Sequence, residues 1–468
     1  MSINNETVIA SNRFGYGAKP GDLQRIGNKP RDWLRKQVDQ PDRPGSGHAS
    51  LASSREALQS FIELRSQRRE ARRNSGKESA DVKAVMKMGQ ALKPMYMEHA
   101  MARGSQAISS TTPFYERLLH FWSNHFAVSI DDPQMLGLVG TLELEAIRPH
   151  VGGYFTDMLI AVEQHPAMLT FLDNFQSIGP NSTMAKFAAR RRNKREVGIN
   201  ENLAREILEL HTLGVDGGYS QDDVTTFAGV ISGWTFGGMF PDRANRGAPG
   251  EFAFNELMHE PGSKIVLGKS YRQSGIKQGE AVLKDLARHP STARHISEKL
   301  ARHFISDEPS QASVDRLSQV FLKSHGYLPA VYDALIELDE TWQEVHAKYK
   351  SPVDYVYSLF RSFDRIPDNP QHLIGALTIL GQAPFRAGSP AGWPDTAAAW
   401  SGGEALFKRV ELAVSVANKA GNRVDPLGLA PLILGPTLGE HSRLAISRAE
   451  SARQGVAMLF ASPEFQRR

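Results

Sequence analysis

Hydrophobic residues recur about every 3.6 positions along most of this chain, which is the spacing of amphipathic helices. Local signals mark several helix starts. Pro30 and Pro113 stand where a first helical turn begins, and Ser220 with Asp223 has the spacing of a capping box. The sequence therefore predicts a largely helical protein. Further helices are expected at about 134–147, 154–164, 201–213 and 221–234.

The pattern changes over residues 236–272, where glycines separate short alternating segments. In this part "EFAFNELMHE" and "KIVLG" predict a small hairpin, and the helix before it is expected to end at Trp234. The predicted fold class is mainly α. It is a single large multi-helix domain over 1–468 with a β-hairpin insertion near 250–270.

Helical spacing resumes at Ile276 and continues with breaks to the end of the sequence. One break is the segment 380–403, a long loop that carries Trp393 and Trp400. The last segment, "TLGEHSRLAISRAESARQGVAMLFASPEFQRR", predicts a long amphipathic helix.

Charged residues concentrate in two segments. Residues 51–102 predict a helical hairpin with faces rich in Arg, Lys and Glu, which would suit a docking surface. Residues 184–198, "MAKFAARRRNKREVG", form a basic stretch between Asp173–Asn174 and the helix that starts at Asn200. It is predicted to be a mobile flap over a pocket between these segments, and the alternative is a solvated surface loop. The formal net charge of the whole chain is only +4, an excess too small to indicate a nucleic-acid partner.

The chain of 468 residues has no cysteine, which excludes disulfides, thiolate nucleophiles and cysteine-based zinc sites. No apolar run approaches the roughly 20 residues of a membrane span. The first residues lack the basic and apolar regions of a signal peptide, so a cytoplasmic location is expected.

Acidic and imidazole groups stand among the leucines of the helix predicted at 201–213. On a helical wheel Glu206 falls between Leu210 and Leu213 on the apolar face, and His211 lies on the other flank of that face. A buried carboxylate needs compensation. One interpretation is a structural ion pair, and the other is an acid–base or metal-ligand site. The site would be lined by Glu206, Glu209 and His211.

Two other segments add polar groups to the hypothetical site. In "FYERLLHFWSNHF" His125 lies in the middle of the apolar face, whereas His120 is expected to be solvated. Because both His125 and Glu206 point into apolar faces and need polar partners, His125 is predicted to lie against the Glu206 helix. The dipeptide Asp173–Asn174 follows an apolar run and is read either as a helix cap or as a pocket rim.

Several motifs, taken in order, resemble DUF1800, a bacterial family of unknown function. The likeness extends over nearly the whole chain. It is carried by "NRFGYGA", "FWSNHFAVS", "AVEQHPAMLTFLDN", "NENLAREILELHTLGVDGGYSQDDV", "SGWTF", "HEPGSKIVLG", "HPSTARHISEKLARHF", "SPVDYVYSLFRS", "GWPD" and "SPEFQ".

The resemblance implies no activity, since the family is named for having none assigned. Glu260 stands where the family pattern usually has Asp. Family members often accompany an exported, alkaline-phosphatase-like protein, which implies a possible partner and a route to the periplasm. The family's motif positions correspond here to His125, His165, Asp173, Asn174, Asn202, Arg205, Glu206, Glu209, His211, Trp234, His259 and Lys264.

Three classes of function remain open. The first is an enzyme that performs acid–base hydrolysis, on a carbohydrate-like substrate if tryptophans form flat platforms. The second is a Zn, Fe or Mn enzyme, although the chain has no HExxH motif. The third is a non-catalytic partner or maturation factor of the exported protein. The candidate residues are Glu206, Glu209, Asp173 and His211 for catalysis, Asn174, Asn202, Arg205, Trp122 and Trp234 for substrate, and His125, Glu206 and His211 for a divalent metal.

Overall fold

The computed structural model describes residues 3–43, 45, 48, 50–75, 77–190, 198–238, 247–248, 250–343 and 346–468. Within these residues the chain is mainly helical, with two short antiparallel hairpins. The prediction of a mainly α fold with a small β element near 250–270 is therefore confirmed. None of the described helices is both long enough and apolar enough to cross a membrane.

The helices of the first half vary widely in length. They are α1 (Asn5–Asn12), α2 (Asp22–Ile26), α3 (Pro30–Asp39), α4 (Ser54–Ser75), α5 (Lys77–Ser109), α6 (Pro113–His125), α7 (Val139–Leu142), α8 (Phe155–Glu163), α9 (Pro166–Phe171), α10 (Thr183–Ala189), α11 (Asn202–Glu206) and α12 (Gln221–Ile231).

The second half is built mostly of medium-length helices. They are α13 (Ile276–Ala287), α14 (Pro290–Phe304), α15 (Gln311–Lys323), α16 (Leu328–Glu337), α17 (Glu340–Gln343), α18 (Pro352–Ser362), α19 (Pro370–Ile379), α20 (Ala397–Trp400), α21 (Gly403–Ala420), α22 (Pro426–Leu434), α23 (Glu440–Ser447) and α24 (Ala452–Ala461).

Helix starts follow the signals in the sequence. Pro113 occupies the first turn of α6, where its missing N–H costs no hydrogen bond. Ser220 and Asp223 form the predicted capping box of α12, each side chain accepting from the other residue's backbone N–H. Ser351 and Asp354 form a second capping box at the start of α18. Asp354 also forms buried ion pairs with Arg117 and Arg468.

Two predicted helices are interrupted. The segment 134–147 consists of a 3-10 turn (Pro133–Gly137), α7 and a π-helical turn (Glu143–Ile147). The predicted long C-terminal helix is wrong, because α23 ends at Ser447 and α24 begins after Ser451. The Ser451 side chain accepts from the backbone N–H of Gln454, and this new N-cap starts a separate helix.

The strands pair differently from the predicted hairpin. Strand β1 (Trp234–Phe236) pairs with β2 (Phe252–Phe254), and β3 (Lys264–Val266) pairs with β4 (Lys269–Tyr271). Leu267 and Gly268 both have positive φ in the two-residue β3–β4 connection, the geometry of a tight hairpin turn. Trp234 does not end α12, since that helix stops at Ile231 and Trp234 begins β1.

The apolar side chains form two main buried clusters. The larger cluster includes residues of α6, α8, α9 and α12–α16. The second joins α18, α19 and α21–α24 with the end of α5. The cavity described below lies where α6 and α14 of the first cluster meet α18 of the second.

The two charged segments are only partly described. Within residues 51–102 the helices α4 and α5 follow each other closely and contact each other, and α5 continues to Ser109. Within residues 184–198 most of the first part belongs to α10. Residues 191–197, on which the expected basic flap depends, lie outside the described residues.

Candidate functional site

The helix that carries Glu206 changes its winding at that residue. Helix α11 ends at Glu206, and Ile207–His211 form a π-helical turn. A π turn shifts the positions that face the core relative to an α-helical wheel. Leu208 is consequently buried, whereas Leu210 is only half-buried. The Glu206 side chain is half-buried and makes no hydrogen bond or ion pair with another described residue. Burial, reinforced by Glu209, raises the pKa of its carboxyl group.

Glu206→Gln is therefore expected to leave the unfolding temperature unchanged or slightly higher, because the variant removes a half-buried charge that has no partner. If Glu206 instead compensated a buried cation, the loss would be about 1–3 kcal/mol. Thermal unfolding measured beside the exposed control Glu256→Gln decides between these outcomes. A clear drop for Glu206→Gln alone would contradict the expectation.

His125 and His211 lie together, as predicted. His211 is fully buried, and its Nδ1 is 2.8 Å from Oε1 of Glu163 on α8. His125 Nε2 is 3.1 Å from the His211 carbonyl oxygen, and the two ring centroids are 6.2 Å apart. Within the part of the chain that the structure describes, His125 Nδ1 and His211 Nε2 have no hydrogen-bond partner. Glu163, the partner of His211, was not among the predicted residues.

The other predicted site residues do not converge on this pair. Asn202 and Asp173 are exposed, and Asp173 has a left-handed φ of 56°. Glu209 accepts from the Tyr219 hydroxyl at 3.2 Å. Arg205 donates to Glu201 at 3.1 Å, on the same helical segment.

Three predicted substrate-binding residues are completely buried. Asn174 donates to the carbonyl oxygens of Ile231 and Trp234, and so ties β1 to the preceding helices. Trp122 donates to the Tyr332 hydroxyl at 2.7 Å. Trp234 is also fully buried. These side chains pack in the protein interior rather than line an accessible pocket.

The predicted metal ligands do not form a ligand set. Among the described residues no group of three or more His, Asp or Glu side chains is arranged to hold a metal ion. Glu260 of the "HE" pair accepts two hydrogen bonds from Asn181, at 2.8 and 2.7 Å, and thus fastens a loop.

A cavity of about 300 Å³ lies beside His125. On helix α14, His295, Lys299 and His303 follow at four-residue intervals and share one helix face. Lys299, Arg302 and His303 line the cavity, while His295 contacts His125 with ring centroids 6.1 Å apart. The remaining walls come from α6, the start of α18 and the loop before α20. Polar and aromatic residues of these walls include Asn124, His125, Ser351, Asp354, Trp393 and Asp395.

His303 and Asp395 form a carboxylate–imidazole pair at the cavity. His303 Nδ1 lies 2.5 Å from Asp395 Oδ2, and its Nε2 lies 3.5 Å from a guanidinium nitrogen of Arg117. Burial lowers the pKa of His303 to about 4, although Asp395 acts in the opposite direction. Burial alone would raise the pKa of Asp395, but His303, Lys348 and Arg468 together lower it. The pair is therefore a neutral imidazole held in place by a carboxylate.

Asp354 is held by two guanidinium groups. Arg117 Nη2 is 2.7 Å from Oδ1, and Arg468 Nε is 3.0 Å from Oδ2, with all three side chains buried. Arg468 also donates to the carbonyl oxygens of Arg13 and His303, at 3.3 and 3.0 Å. Asp354 lines the cavity, and Arg117 and Arg468 also contact His303.

Lys299 differs from the other cations near the cavity. Arg117, Arg302, Lys348 and Arg468 each pair with a carboxylate, whereas the Lys299 side chain makes no hydrogen bond or ion pair with any described residue. Burial lowers the pKa of its ammonium group to about 8, with Asp395 opposing the shift. An ammonium group in this position is available to an anion that enters the cavity.

His120 is not solvated as expected. It is half-buried, lines the cavity, and its Nδ1 faces the guanidinium group of Arg103. Burial, together with Arg103, lowers the pKa of His120 well below its usual value. His120 does lie on the side of α6 opposite the apolar face, as the helical wheel predicted. Helix α5 packs against that side of α6, however, and covers His120.

The principal residues of this cavity were not among the predicted site residues; they are Lys299, His303, Asp354 and Asp395. A signal was present, because α14 repeats basic side chains at the helical interval over His295, Lys299 and His303. Three motifs that carry the family resemblance, "FWSNHF", "SPVD" and "GWPD", also meet at this cavity with that helix. Only tertiary structure brings these distant segments together.

The comparison with family models agrees with these motifs. A model described as "Protein of unknown function (DUF1800)" matches residues 9–467. No curated protein matches the chain, and no solved structure does. The match includes every segment that lines the cavity. The chain belongs to the DUF1800 family.

Proposed function

We propose that the protein is an enzyme that binds a small anionic substrate in the cavity at α14 and moves a proton to or from it. Lys299 holds the anion. His303 is the acid–base group, and Asp395 positions its imidazole ring. The observation that carries this proposal is the unpaired ammonium group of Lys299 at the cavity that also holds the His303–Asp395 pair.

The physical argument concerns charge. An anion close to Lys299 and His303 favours the protonated form of the imidazole, and so raises the pKa of His303 from about 4 towards neutrality. Asp395 accepts from Nδ1 and fixes the tautomer, as carboxylate partners of catalytic histidines do. Substrate binding would thus prepare His303 for proton transfer. The proposed chemistry is of the acid–base type expected from the sequence. In this proposal it depends on Lys299, His303 and Asp395 instead of the predicted catalytic residues.

Lys299→Met is the direct test. We expect it to weaken binding of inorganic phosphate or a small dicarboxylate by at least about tenfold, roughly 1.4 kcal/mol, in titration calorimetry. The melting temperature should stay equal or rise, because the variant removes a desolvated charge without a partner. Lys284→Met, at an exposed lysine on α13, is the matched control. Unchanged binding in Lys299→Met would overturn the assignment, and a large loss of stability would indicate a structural lysine.

The affinity for the same anions should depend on pH. Since the pKa of Lys299 is lowered to about 8, its ammonium form dominates below that pH and disappears as the pH rises through it. We therefore expect affinity to fall as the pH rises through about 8, where the folded protein loses this positive charge. Lys299→Met should abolish this pH dependence. An affinity that stays constant as the pH rises through this value would contradict the role of Lys299.

The metal-dependent alternative rests on His125 and His211. His125 Nδ1 and His211 Nε2 are buried and have no hydrogen-bond partner among the described residues, and no third ligand joins them there. Elemental analysis of the purified protein tests this alternative. A stoichiometric transition metal that is lost in His211→Ala would favour it over the proposal above.

A further inference from the structure

A second and larger cavity lies in the C-terminal helical cluster, away from His303. Its volume is about 830 Å³, and it lies between α18, α19 and α21. The walls are mostly aliphatic and aromatic, with Leu359, Phe363 and Val416 among them. Two large apolar side chains at this cavity are exposed, Ile366 by 43% and Ile379 by 59%. An apolar cavity of this size is in the range of small-molecule sites.

The rim of this cavity is basic. Arg365, Lys419 and Arg423 stand there, and none of them makes a hydrogen bond through its side chain or an ion pair with another described residue. Asp368 is the one carboxylate that lines the same cavity. Three unpaired cations beside an apolar cavity match a ligand with a long apolar part and an anionic end.

We propose that this cavity binds a single-chain anionic amphiphile, an acyl chain that ends in a carboxylate or phosphate. The chain lies between α18, α19 and α21, where it covers Ile366 and Ile379. The head group lies at the rim, where it is near Arg365, Lys419 and Arg423. This site is separate from the cavity at α14, and the proposal does not depend on the reaction proposed there.

Chain length and charge make the proposal measurable. Each methylene group that becomes buried should raise affinity about three- to fourfold. Dodecanoate below its micellar concentration is therefore expected to bind the full chain with one-to-one stoichiometry, and about tenfold more tightly than decanoate. Dodecyltrimethylammonium has the same chain with the opposite charge, and should bind at least tenfold more weakly than dodecanoate.

Gly375 offers a variant that fills the cavity. It lies in α19 at the cavity wall, and a Cβ added there meets no atom within 4 Å. Gly375→Leu should fold normally, since leucine favours a helix more than glycine does. We expect it to reduce dodecanoate affinity at least tenfold. Gly403→Leu in α21 is the matched control, because a Cβ added at Gly403 also meets no atom within 4 Å and this residue does not line the cavity.

The head-group contact has its own variant. Arg365→Gln, Lys419→Gln and Arg423→Gln combined should weaken dodecanoate binding at least tenfold and leave dodecanol binding unchanged. Titration calorimetry with each ligand measures all these effects. The proposal is overturned if dodecanoate shows no saturable binding, if Gly375→Leu binds as the control does, or if the ammonium ligand binds equally well. Binding to vesicles of anionic phospholipid without binding of monomeric dodecanoate would also overturn it, and would assign the basic rim to a membrane surface.

Discussion

Asp354→Asn is expected to lower the free energy of unfolding by about 3–5 kcal/mol, the usual cost of removing one partner from a buried ion pair. Arg117 and Arg468 both contact this carboxylate, at 2.7 and 3.0 Å, and neither has enough access to water to be solvated instead. Asparagine preserves the size of the side chain but leaves two buried guanidinium groups without the negative charge between them. Urea unfolding of the two proteins at neutral pH measures the difference.

Asp223→Asn is the matched control for this prediction. Asp223 occupies the same capping-box position at the start of α12, but it is half-exposed and makes no ion pair with a described residue. Its other contact is the Leu267 backbone N–H, at 2.7 Å. Its replacement should cost about 1 kcal/mol, the usual value of a helix cap. Similar losses in both variants would show that Asp354 acts only as a cap, and that the charge network contributes little.

The effect of Asp354 should also depend on pH in a defined direction. Burial alone would raise the pKa of this carboxyl group, but Arg117 and Arg468 hold the pKa well below its ordinary value. A lowered folded pKa gives stability that is fully present above the unfolded pKa and is lost as the pH falls below it. The difference between wild type and Asp354→Asn should therefore shrink below about pH 4. A difference that grows in acid would contradict this electrostatic explanation.

Arg361→Met is the second substitution with a large expected effect, a loss of about 3–5 kcal/mol. Arg361 is buried in α18 and pairs with Asp22 at 3.1 Å, while its Nε donates to the Gly17 carbonyl oxygen at 2.8 Å. Its Nη1 also caps the end of α5, since it donates to the carbonyl oxygens of Ala107, Ile108 and Ser110. Methionine fills much of the space but removes the donor to these carbonyl groups. Asp22 keeps its contacts with Arg25 and the Lys19 backbone N–H but loses the buried cation.

Arg365→Gln provides the comparison for Arg361, because Arg365 is exposed and follows the same helix. It should change stability by less than about 0.5 kcal/mol. Arg361→Lys retains the charge but cannot reach all the carbonyl groups at once, so an intermediate loss is expected. If Arg361→Met unfolds at the same urea concentration as wild type, the connection between α18 and the end of α5 does not stabilise the fold.

Local signals account for the parts of the fold that were predicted well. Pro113 starts α6, and the Ser220–Asp223 capping box starts α12, because these effects depend only on neighbouring residues. The errors arose where tertiary contacts or small backbone changes decide the outcome. A uniform wheel could not anticipate the π turn at Ile207–His211, and therefore placed Leu210 too deeply.

The candidate site illustrates the same difference. The contact of His125 with His211 was predictable, since both side chains face inward from amphipathic helices and need polar partners. The pairing of His303 with Asp395 was not, because the two residues are 92 positions apart and Asp395 lies in a loop. Glu206 and Asp173 were predicted as site residues because they are acids near apolar runs. Asp354 was not predicted, because it lies in the short motif "SPVD".

The ion-pair network of Arg117, Asp354 and Arg468 connects residues that are very far apart in sequence. The hydrogen bond from Arg468 to the Arg13 carbonyl joins positions that differ by 455, and the Arg117–Asp354 contact joins positions that differ by 237. Closing such long loops has an entropic cost that precedes the gain from the contacts. Contacts between residues so far apart in sequence therefore form slowly. Helices such as α14 depend on local contacts and can form earlier. During refolding the cavity at α14 should therefore be completed late, and recovery of any ligand binding there should lag behind recovery of helical structure.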